Sequence, residues 1–311
     1  MANRVPELRL TDYTNGAPDA RRAFCEQLMQ GLQRYGFITL SGHPIRSELL
    51  DEAYRLSAAF FAQPDAIKSE YAGGTRGYIP FRTERAKNRS VPDLKEFWQI
   101  GPEHSDGVAR GGIVPPNIWP AAPARFKETF LQLFTALQDT GRIILQALTH
   151  GLELSHDFFE PLLTESNSVL RLLHYPPIPA DVDADSVRAA AHEDINLLTL
   201  LVAAHGSGLE LLDRDGQWLA VETDRNNLIV DSGDMLARIT NDVIPATTHR
   251  VVNPAGPNVS RYSMPFFMHP NSAATLSCLP SCIGAGARYP DIGAGMLLEQ
   301  RLKEIGLLTK P

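Results

Sequence analysis

Apolar residues recur at helical spacing in several long stretches of the chain. Between 19 and 35, Phe24, Leu28 and Leu32 lie on one stripe, and Gly36 follows as a suitable C-terminal stop. Such a stripe is typical of an amphipathic helix that buries one face. The same spacing predicts helices over 46–62, 125–152 and 294–305 and a shorter helical stretch after Pro64, with a break near Gly141 in the 125–152 helix.

The other apolar runs are short, and most of them follow residue 168. Turn-forming residues separate them, as expected for strands joined by loops. Residues 213–216 read Asp-Arg-Asp-Gly, which is typical of a hairpin turn. Strands are expected over 37–40, 169–175, 199–203, 209–212, 218–221, 228–230, 251–252 and 262–268. Residues 72–120 are rich in Gly, Pro, Arg and Asn and are expected to be mostly irregular with short strands.

Many short strands at regular spacing indicate a sandwich or barrel. We therefore expect a mainly β protein with flanking helices, built on a double-stranded β-helix core, the jelly roll of cupin-like proteins. A core of this kind has a central cavity, which suits a binding site. The 311 residues, 43% of them hydrophobic, are enough for a sizeable core.

The composition excludes several classes of partner. The formal net charge is −7, whereas nucleic-acid and anionic-membrane partners normally need a basic face. No apolar run is long enough for a transmembrane helix, and the N-terminus lacks the apolar segment of a secretory signal. Three cysteines do not make a disulfide framework. We expect a cytoplasmic protein that acts on a small molecule.

Two histidines and one carboxylate form the main candidate for chemistry. His192 and Asp194 lie between two expected strands, and His249 begins an alternating run 55 residues after Asp194. That interval holds about four strands, so His249 can return to the same cavity mouth. Two imidazoles and a carboxylate are the facial triad that binds Fe(II) and leaves positions open for substrate and O₂. Zinc with a bound water could use the same three ligands.

An Arg-x-Ser pair follows the third ligand. Arg261 and Ser263 are two residues apart and share one strand face with Phe267. A buried arginine must be paired, either in a core salt bridge or with a bound anion. No acidic residue lies between Asp242 and Tyr289, which favours the anion. The guanidinium suits the distal carboxylate of 2-oxoglutarate, with the serine hydroxyl as a further donor, and this favours iron over zinc.

Several segments together resemble one known family. They are 192–201 (His-Glu-Asp-Ile-Asn-Leu-Leu-Thr-Leu-Leu), 249–254 (His-Arg-Val-Val-Asn-Pro), 261–267 (Arg-Tyr-Ser-Met-Pro-Phe-Phe) and, near the N-terminus, 35–38 (Tyr-Gly-Phe-Ile) with 42–44 (Gly-His-Pro). The chain is similar over nearly its whole length to the isopenicillin-N-synthase-like Fe(II)/2-oxoglutarate-dependent dioxygenases. The resemblance implies a family N-terminal region over 1–120, made of helices and irregular segments, and a jelly-roll core over 121–311 that a C-terminal helix closes.

The resemblance also implies the roles of individual residues. Iron would be bound by His192, Asp194 and His249, and 2-oxoglutarate by Arg261, Ser263 and Tyr175. Tyr175 belongs to a family Asn-x-Tyr-Pro-Pro motif in which this chain has Leu173 in place of the asparagine.

The expected reaction uses Fe(II), 2-oxoglutarate and O₂ to oxidise a C–H bond and releases succinate and CO₂. Hydroxylation is the default outcome, with desaturation and ring closure as variants. The candidate substrate residues are Tyr78, Phe81, Arg82, Asn196 and Phe267, although core packing would equally explain the aromatic ones. Three alternatives remain: an oxidase of the same family that does not need 2-oxoglutarate, a non-enzymatic cupin-like binding protein and, less favoured, a zinc hydrolase.

Overall fold

The computed structural model of this chain describes residues 4–85, 91–103, 108–109, 112–113, 115–183, 185–205 and 207–304. The helices are α1 (Leu10–Thr14), α2 (Pro18–Tyr35), α3 (Ser47–Phe61), α4 (Asp65–Ser69), α5 (Phe126–Gly151), α6 (Glu160–Leu163), α7 (Asp234–Ile239) and α8 (Ala294–Glu304). A short 3₁₀ helix covers Pro280–Cys282. No described helix is both long enough and apolar enough to cross a lipid bilayer.

The strands alternate with these helices in the first part of the chain and follow one another in the second. They are β1 (Glu7–Arg9), β2 (Phe37–Ser41), β3 (Ala72–Gly73), β4 (Arg76–Ile79), β5 (Glu96–Ile100), β6 (Val108–Ala109), β7 (Gly112–Ile113), β8 (Val169–Tyr175), β9 (Ala189–His192), β10 (Leu198–His205), β11 (Leu209–Leu212), β12 (Trp218–Ala220), β13 (Leu228–Ser232), β14 (His249–Val251), β15 (Arg261–Met268), β16 (Thr275–Leu276) and β17 (Ile292–Gly293).

Two sheets carry the site. The large one has nine strands in the order β1-β2-β13-β10-β15-β8-β5-β4-β3, and the small one has four in the order β12-β11-β14-β9. All pairs in them are antiparallel except β1 with β2. The fold is therefore mixed α/β rather than mainly β, because five of the nine strands of the large sheet and its covering helices come from the first 151 residues.

Helices α2, α3 and α5 pack together and, with the large sheet, enclose the main hydrophobic core. Alternate strand residues such as Leu170, Leu200 and Phe266 belong to this core, so the intervening residues face the other way. A second cluster, which includes Phe97, Leu173 and Val251, fills the space between the two sheets. The face of the large sheet that borders the second cluster is called the inner face below.

Helix α5 runs unbroken through Gly141, where the sequence pattern predicts a break. A Cβ atom at Gly141 would lie 2.5 Å from Sδ of Met268. The glycine therefore allows the helix to approach strand β15 closely and does not end it.

Most predicted strands are present within one or two residues of their expected ends, and the 213–216 turn joins β11 to β12 as a hairpin. Asp213 Oδ1 accepts hydrogen bonds from the backbone N–H groups of Asp215 and Gln217 at 2.8 and 3.0 Å. The four-residue strand β9 and the six-residue helix α7 were not predicted. Both elements are too short to show a periodic pattern.

Candidate active site

Strands β9 and β14 of the small sheet bring the two histidines together. His192 ends β9, His249 begins β14, and the two residues pair directly across the ladder. Asp194 follows β9 by two residues. Their ligand atoms lie within 4.8 Å of one another, with His192 Nε2 3.7 Å and His249 Nε2 3.8 Å from Asp194 Oδ1. The structure thus brings the three predicted metal ligands to one point.

Backbone contacts orient both imidazole rings. His192 Nδ1 lies 2.7 Å from the carbonyl oxygen of Ala190, and His249 Nδ1 lies 3.1 Å from that of Thr247. A carbonyl can only accept, so Nδ1 carries a proton in each ring, and the neutral form of each ring has its lone pair on Nε2. Burial lowers the pKa of His249 to about 4, and the neighbouring His192 adds to this effect. Both rings therefore turn Nε2 toward Asp194, and Nε2 is the atom that a metal would bind.

Asp194 is held by residues at the start of β10. Thr199 Oγ1 donates a short hydrogen bond to Asp194 Oδ2 and accepts one from Asn196 Nδ2 at 2.8 Å. These bonds leave Oδ1 free to face the histidines. Asn196 is fully buried. Its side chain donates to Thr199 and packs against Gly233, which gives it a positioning role in this structure; the substrate contact expected from the sequence stays a prediction.

A second carboxyl group lies on the same side of the cavity. Asp231 pairs with Thr199 across β13 and β10 and is buried, and its Oδ2 atom has no hydrogen-bond partner among the described residues. Burial raises the pKa of Asp231 well above its ordinary value, and the charge of Asp194 raises it further. A bound cation would offset the repulsion between these two carboxyl groups. The donor set thus fits a divalent metal.

The other end of the inner face is cationic. Arg261 and Tyr175 pair across β15 and β8, and the guanidinium carbon lies 5.1 Å from the centre of the tyrosine ring. Arg261 is 2% exposed, and its Nε and Nη1 atoms have no partner among the described residues. Ser263 is also buried on this face. A core salt bridge, the alternative interpretation of Arg261, is absent from the part of the chain that the structure describes. The free donors fit a carboxylate ligand.

Between these two ends the inner face carries an unexpected group of charges. Arg171 lies 4.6 Å above the ring of Phe97 and 5.3 Å above that of Phe267, which faces inward as predicted. Its Nη1 atom donates to Glu84 at 3.1 and 3.2 Å. Lys95 Nζ lies 2.7 Å from the same carboxylate. Burial opposes ionisation of Glu84, but the two cations overcome this and lower its pKa to about 2.

Of the other three residues proposed from the sequence, Tyr78 lies on the far side of the large sheet from the triad, while a substrate role of Phe81 and Arg82 stays a prediction. Tyr78 packs in the main core on the helix side of the large sheet, and its hydroxyl donates to Glu96. Phe81 and Arg82 follow β4 in a turn, where Phe81 is half-buried and Arg82 is exposed. Among the described residues, no contact joins any of the three to the triad. Tyr78 faces away from the cavity because Gly77 and Ile79 share the inner-face parity on β4.

Sequence reasoning missed Thr199, Arg171 and the buried Arg188. Strand parity could have found the first two. Arg171 is four residues from Tyr175 and two from Leu173 on the same face, and Thr199 lies between the core residues Leu198 and Leu200. Arg188 precedes β9, an element that was not predicted, so no pattern in the sequence indicated it.

Comparisons with known proteins agree with this geometry. Residues 5–122 match the family described as the N-terminal part of non-haem dioxygenases in morphine synthesis, and residues 166–270 match the 2OG-Fe(II) oxygenase superfamily. The 2-oxoglutarate-Fe(II) type oxidoreductase hxnY of Emericella nidulans is 33% identical over 90% of this chain and 83% of its own length.

Two solved structures are similar over nearly the whole chain. A protein from Caulobacter crescentus, described as a 2OG-Fe(II) oxygenase family protein, is 42% identical and covers 98% of this chain and 100% of its own, with a TM-score of 0.87. A full-length Neurospora crassa protein in complex with alpha-KG and thymine is 28% identical, covers 96% of each chain and has a TM-score of 0.86.

Proposed function

The chain belongs to the 2OG-Fe(II) oxygenase superfamily, and from this premise we propose that it oxidises an unactivated C–H bond of a small molecule. As a member it is a dioxygenase that uses Fe(II) and 2-oxoglutarate. The finer proposal is that the outcome is hydroxylation, with desaturation or cyclisation as variants, and that succinate and CO₂ are released. The observation that carries it is that a three-ligand metal site and an unpaired, buried guanidinium both border the second cluster between the two sheets.

We propose that His192, Asp194 and His249 bind Fe(II), and that Arg261, Ser263 and Tyr175 bind the distal carboxylate of 2-oxoglutarate. When bound, Fe(II) supplies the activation of O₂ that couples decarboxylation of the co-substrate to oxidation of the C–H bond. Arg261 contributes by fixing one end of the co-substrate, which sets its orientation before the reaction begins. Thr199 contributes by keeping Asp194 turned so that Oδ1 faces the histidines.

The inner face of the large sheet also limits the access of water. Phe97 and Leu173 lie between the metal side and the arginine side, and both are buried. An apolar lining of this kind excludes bulk water from the reacting groups and strengthens the electrostatic interactions inside. We propose that Phe267, which is half-buried, contacts the substrate at the open end.

We infer that the two facing sheets form the double-stranded β-helix core typical of the family. The antiparallel order β13-β10-β15-β8 opposite β11-β14-β9 supports this inference. We also propose that residues 1–120 form the N-terminal region and that 121–311 form the oxygenase core. Strands of both the N-terminal region and the core belong to the large sheet, so the two regions would share one continuous β-sheet.

The substrate is proposed to be a small molecule that enters beside Phe267 and Arg171. The Neurospora crassa relative was solved with thymine, so thymine is a reasonable first probe for this chain. A wider set should include amino acids, short peptides and other heterocycles.

A mass-spectrometric screen tests the proposal. The protein is loaded anaerobically with Fe(II) and 2-oxoglutarate, mixed with a metabolite library and exposed to O₂. We expect one library member to gain about 16 mass units or lose about two, with stoichiometric succinate. The His249→Ala variant is the matched control and should give neither product.

The three alternative functions predict different results in the same assay. An oxidase that does not need 2-oxoglutarate would oxidise the library member in its absence. A non-enzymatic binding protein would produce no succinate with any library member, and a zinc enzyme would be active with Zn²⁺ and not with Fe(II). Any of these results would contradict the proposed reaction.

A further inference from the structure

Arg188 is a buried cation without a carboxylate partner among the described residues, close to the arginine end of the cavity. It is 3% exposed. Nη2 donates to the backbone carbonyl of Val259 at 2.6 Å, and Nε has no hydrogen-bond partner. Within the described ranges it forms no salt bridge. A guanidinium in this state costs free energy unless an anion neutralises it.

The position of Arg188 points to the ligand that would do so. Val259, which accepts its hydrogen bond, is two residues before Arg261. Burial lowers the pKa of Arg188, and the charge of Arg261 lowers it further, while Tyr175 acts in the opposite direction. The hydrogen bond to Val259 places the guanidinium beside the start of the strand that carries Arg261, and these charge effects agree with that position.

Two other arginines among the described residues, Arg171 and Arg250, are compensated, whereas Arg76 is, like Arg188, buried without a carboxylate partner there. Arg171 pairs with Glu84, and Arg250 Nη2 lies 2.8 Å from Glu210 Oε2. The charge of Arg250 is thus balanced locally, whereas Arg188 and Arg261 together present at least three buried N–H groups without acceptors: Nε of both and Nη1 of Arg261. A carboxylate offers two oxygens with about four acceptor positions, which matches this set.

We propose that Arg188 is a second guanidinium of the co-substrate site and that it binds, with Arg261, the distal carboxylate of 2-oxoglutarate. This inference rests on the proposed function. It makes Arg188 a residue that selects 2-oxo dicarboxylates over 2-oxo acids whose far end is uncharged.

Anaerobic calorimetric titration of the Fe(II)-loaded protein tests the inference without relying on turnover. Two ligands are compared: 2-oxoglutarate, and 2-oxopentanoate, in which a methyl group replaces the distal carboxylate. We expect Arg188→Met to weaken 2-oxoglutarate binding by about tenfold or more, the loss of a charge-assisted hydrogen bond. Binding of 2-oxopentanoate should stay within about twofold of wild type, because Arg188 makes no contact with the shared 2-oxo acid group.

Two control variants and one further measurement test whether Arg188 itself binds the distal carboxylate. Arg188→Lys retains the charge and should keep part of the preference for 2-oxoglutarate. Arg250→Met removes an arginine that is already neutralised by Glu210 and should leave both affinities unchanged. Thermal unfolding with and without 2-oxoglutarate should show a smaller ligand-induced rise in Tm for Arg188→Met than for wild type.

The deciding quantity is the ratio of the two affinities. An unchanged ratio in Arg188→Met, whether both affinities fall together or neither falls, would overturn the inference and leave Arg188 as a structural residue. If Arg188→Met does not fold, the same ratio is read from Arg188→Gln. If wild-type protein binds no 2-oxoglutarate, the proposed function itself fails, which is a separate result.

Discussion

The hydroxyl of Thr199 donates a short hydrogen bond to Oδ2 of Asp194, so one oxygen of the proposed metal carboxylate is already occupied by the protein. The threonine is in turn held by Asn196, and the backbone carbonyl of Asp194 accepts a hydrogen bond from Asp234 N–H at 2.9 Å. Side chain and main chain of the ligand are thus both fixed. The second oxygen, Oδ1, faces the two histidines and is left for a metal.

Replacing Thr199 with valine tests this arrangement. Valine has the same shape but no hydroxyl, so Asp194 can rotate and Asn196 loses its acceptor. We expect Fe(II) affinity to fall by about 10- to 100-fold, as is typical when a residue that supports a metal ligand is changed. Titration with Fe(II) under anaerobic conditions measures the effect. Thr199→Ser keeps the hydroxyl and should bind iron almost normally; equal losses in the two variants would contradict the assignment.

The sequence predicts the three metal ligands more clearly than the residues that hold those ligands in position. His192, Asp194 and His249 have chemically distinctive side chains, and two-residue parity placed Arg261 and Ser263 on the same face in the folded chain. The supporting residues have no such signature. A threonine or an asparagine beside a ligand is common in any strand, and its role depends on which hydrogen bond the folded chain allows.

The same limit applies to the candidate substrate residues. Tyr78 lies in a segment rich in glycine and proline, for which the sequence predicted mostly irregular structure, and its face could not be determined without knowing that β4 pairs with β5. The pairing of Tyr78 with Trp98 turns both rings toward the helices. Conversely, the sequence predicts a helix break at Gly141. The close approach of Gly141 to Met268 is a tertiary contact, which the local sequence pattern cannot show.

Tyr175 provides a test of the co-substrate end. Its hydroxyl has no hydrogen-bond partner among the described residues, although the residue is only 2% exposed. Tyr175→Phe should weaken 2-oxoglutarate binding by roughly two- to tenfold, the loss of one ordinary hydrogen bond. Tyr262→Phe is the matched control, because Tyr262 stacks on His174 on the opposite face of the sheet. A change of the same size in both variants would argue against a direct role of Tyr175.

The pH dependence of stability should report on Glu84. Its pKa in the folded protein is about 2, below the ordinary value of 4.5, because Arg171 and Lys95 outweigh burial. A carboxyl group with a lowered folded pKa stabilises the protein fully above its unfolded pKa, and this contribution is lost as the pH falls toward the folded pKa. The relevant window is therefore between about 4.5 and 2.

Glu84→Gln removes this contribution and leaves half-buried Arg171 without a carboxylate partner among the described residues, while Lys95 keeps only Asp93. We expect the variant to lose about 3–5 kcal/mol of unfolding free energy at neutral pH. The difference from wild type should shrink as the pH is lowered through the window given above. Urea unfolding at several pH values measures it. Glu52→Gln, which affects an exposed pair with Arg55, should show a much smaller change at every pH.

Gly233 is the point at which helix α7 meets the loop that carries Asp194. A Cβ atom there would overlap the backbone oxygen of Asn196, and a main-chain oxygen cannot rotate away as a flexible side chain can. Gly233→Ala should therefore cost about 1–3 kcal/mol of stability, typical of overpacking in a tight site. Because Asn196 supports Thr199, Fe(II) affinity should fall as well. Gly256→Ala, where no atom lies within 4 Å of an added Cβ, should change neither quantity. If Gly233→Ala lowered stability but left iron binding intact, the link from α7 through Asn196 to Asp194 would not hold.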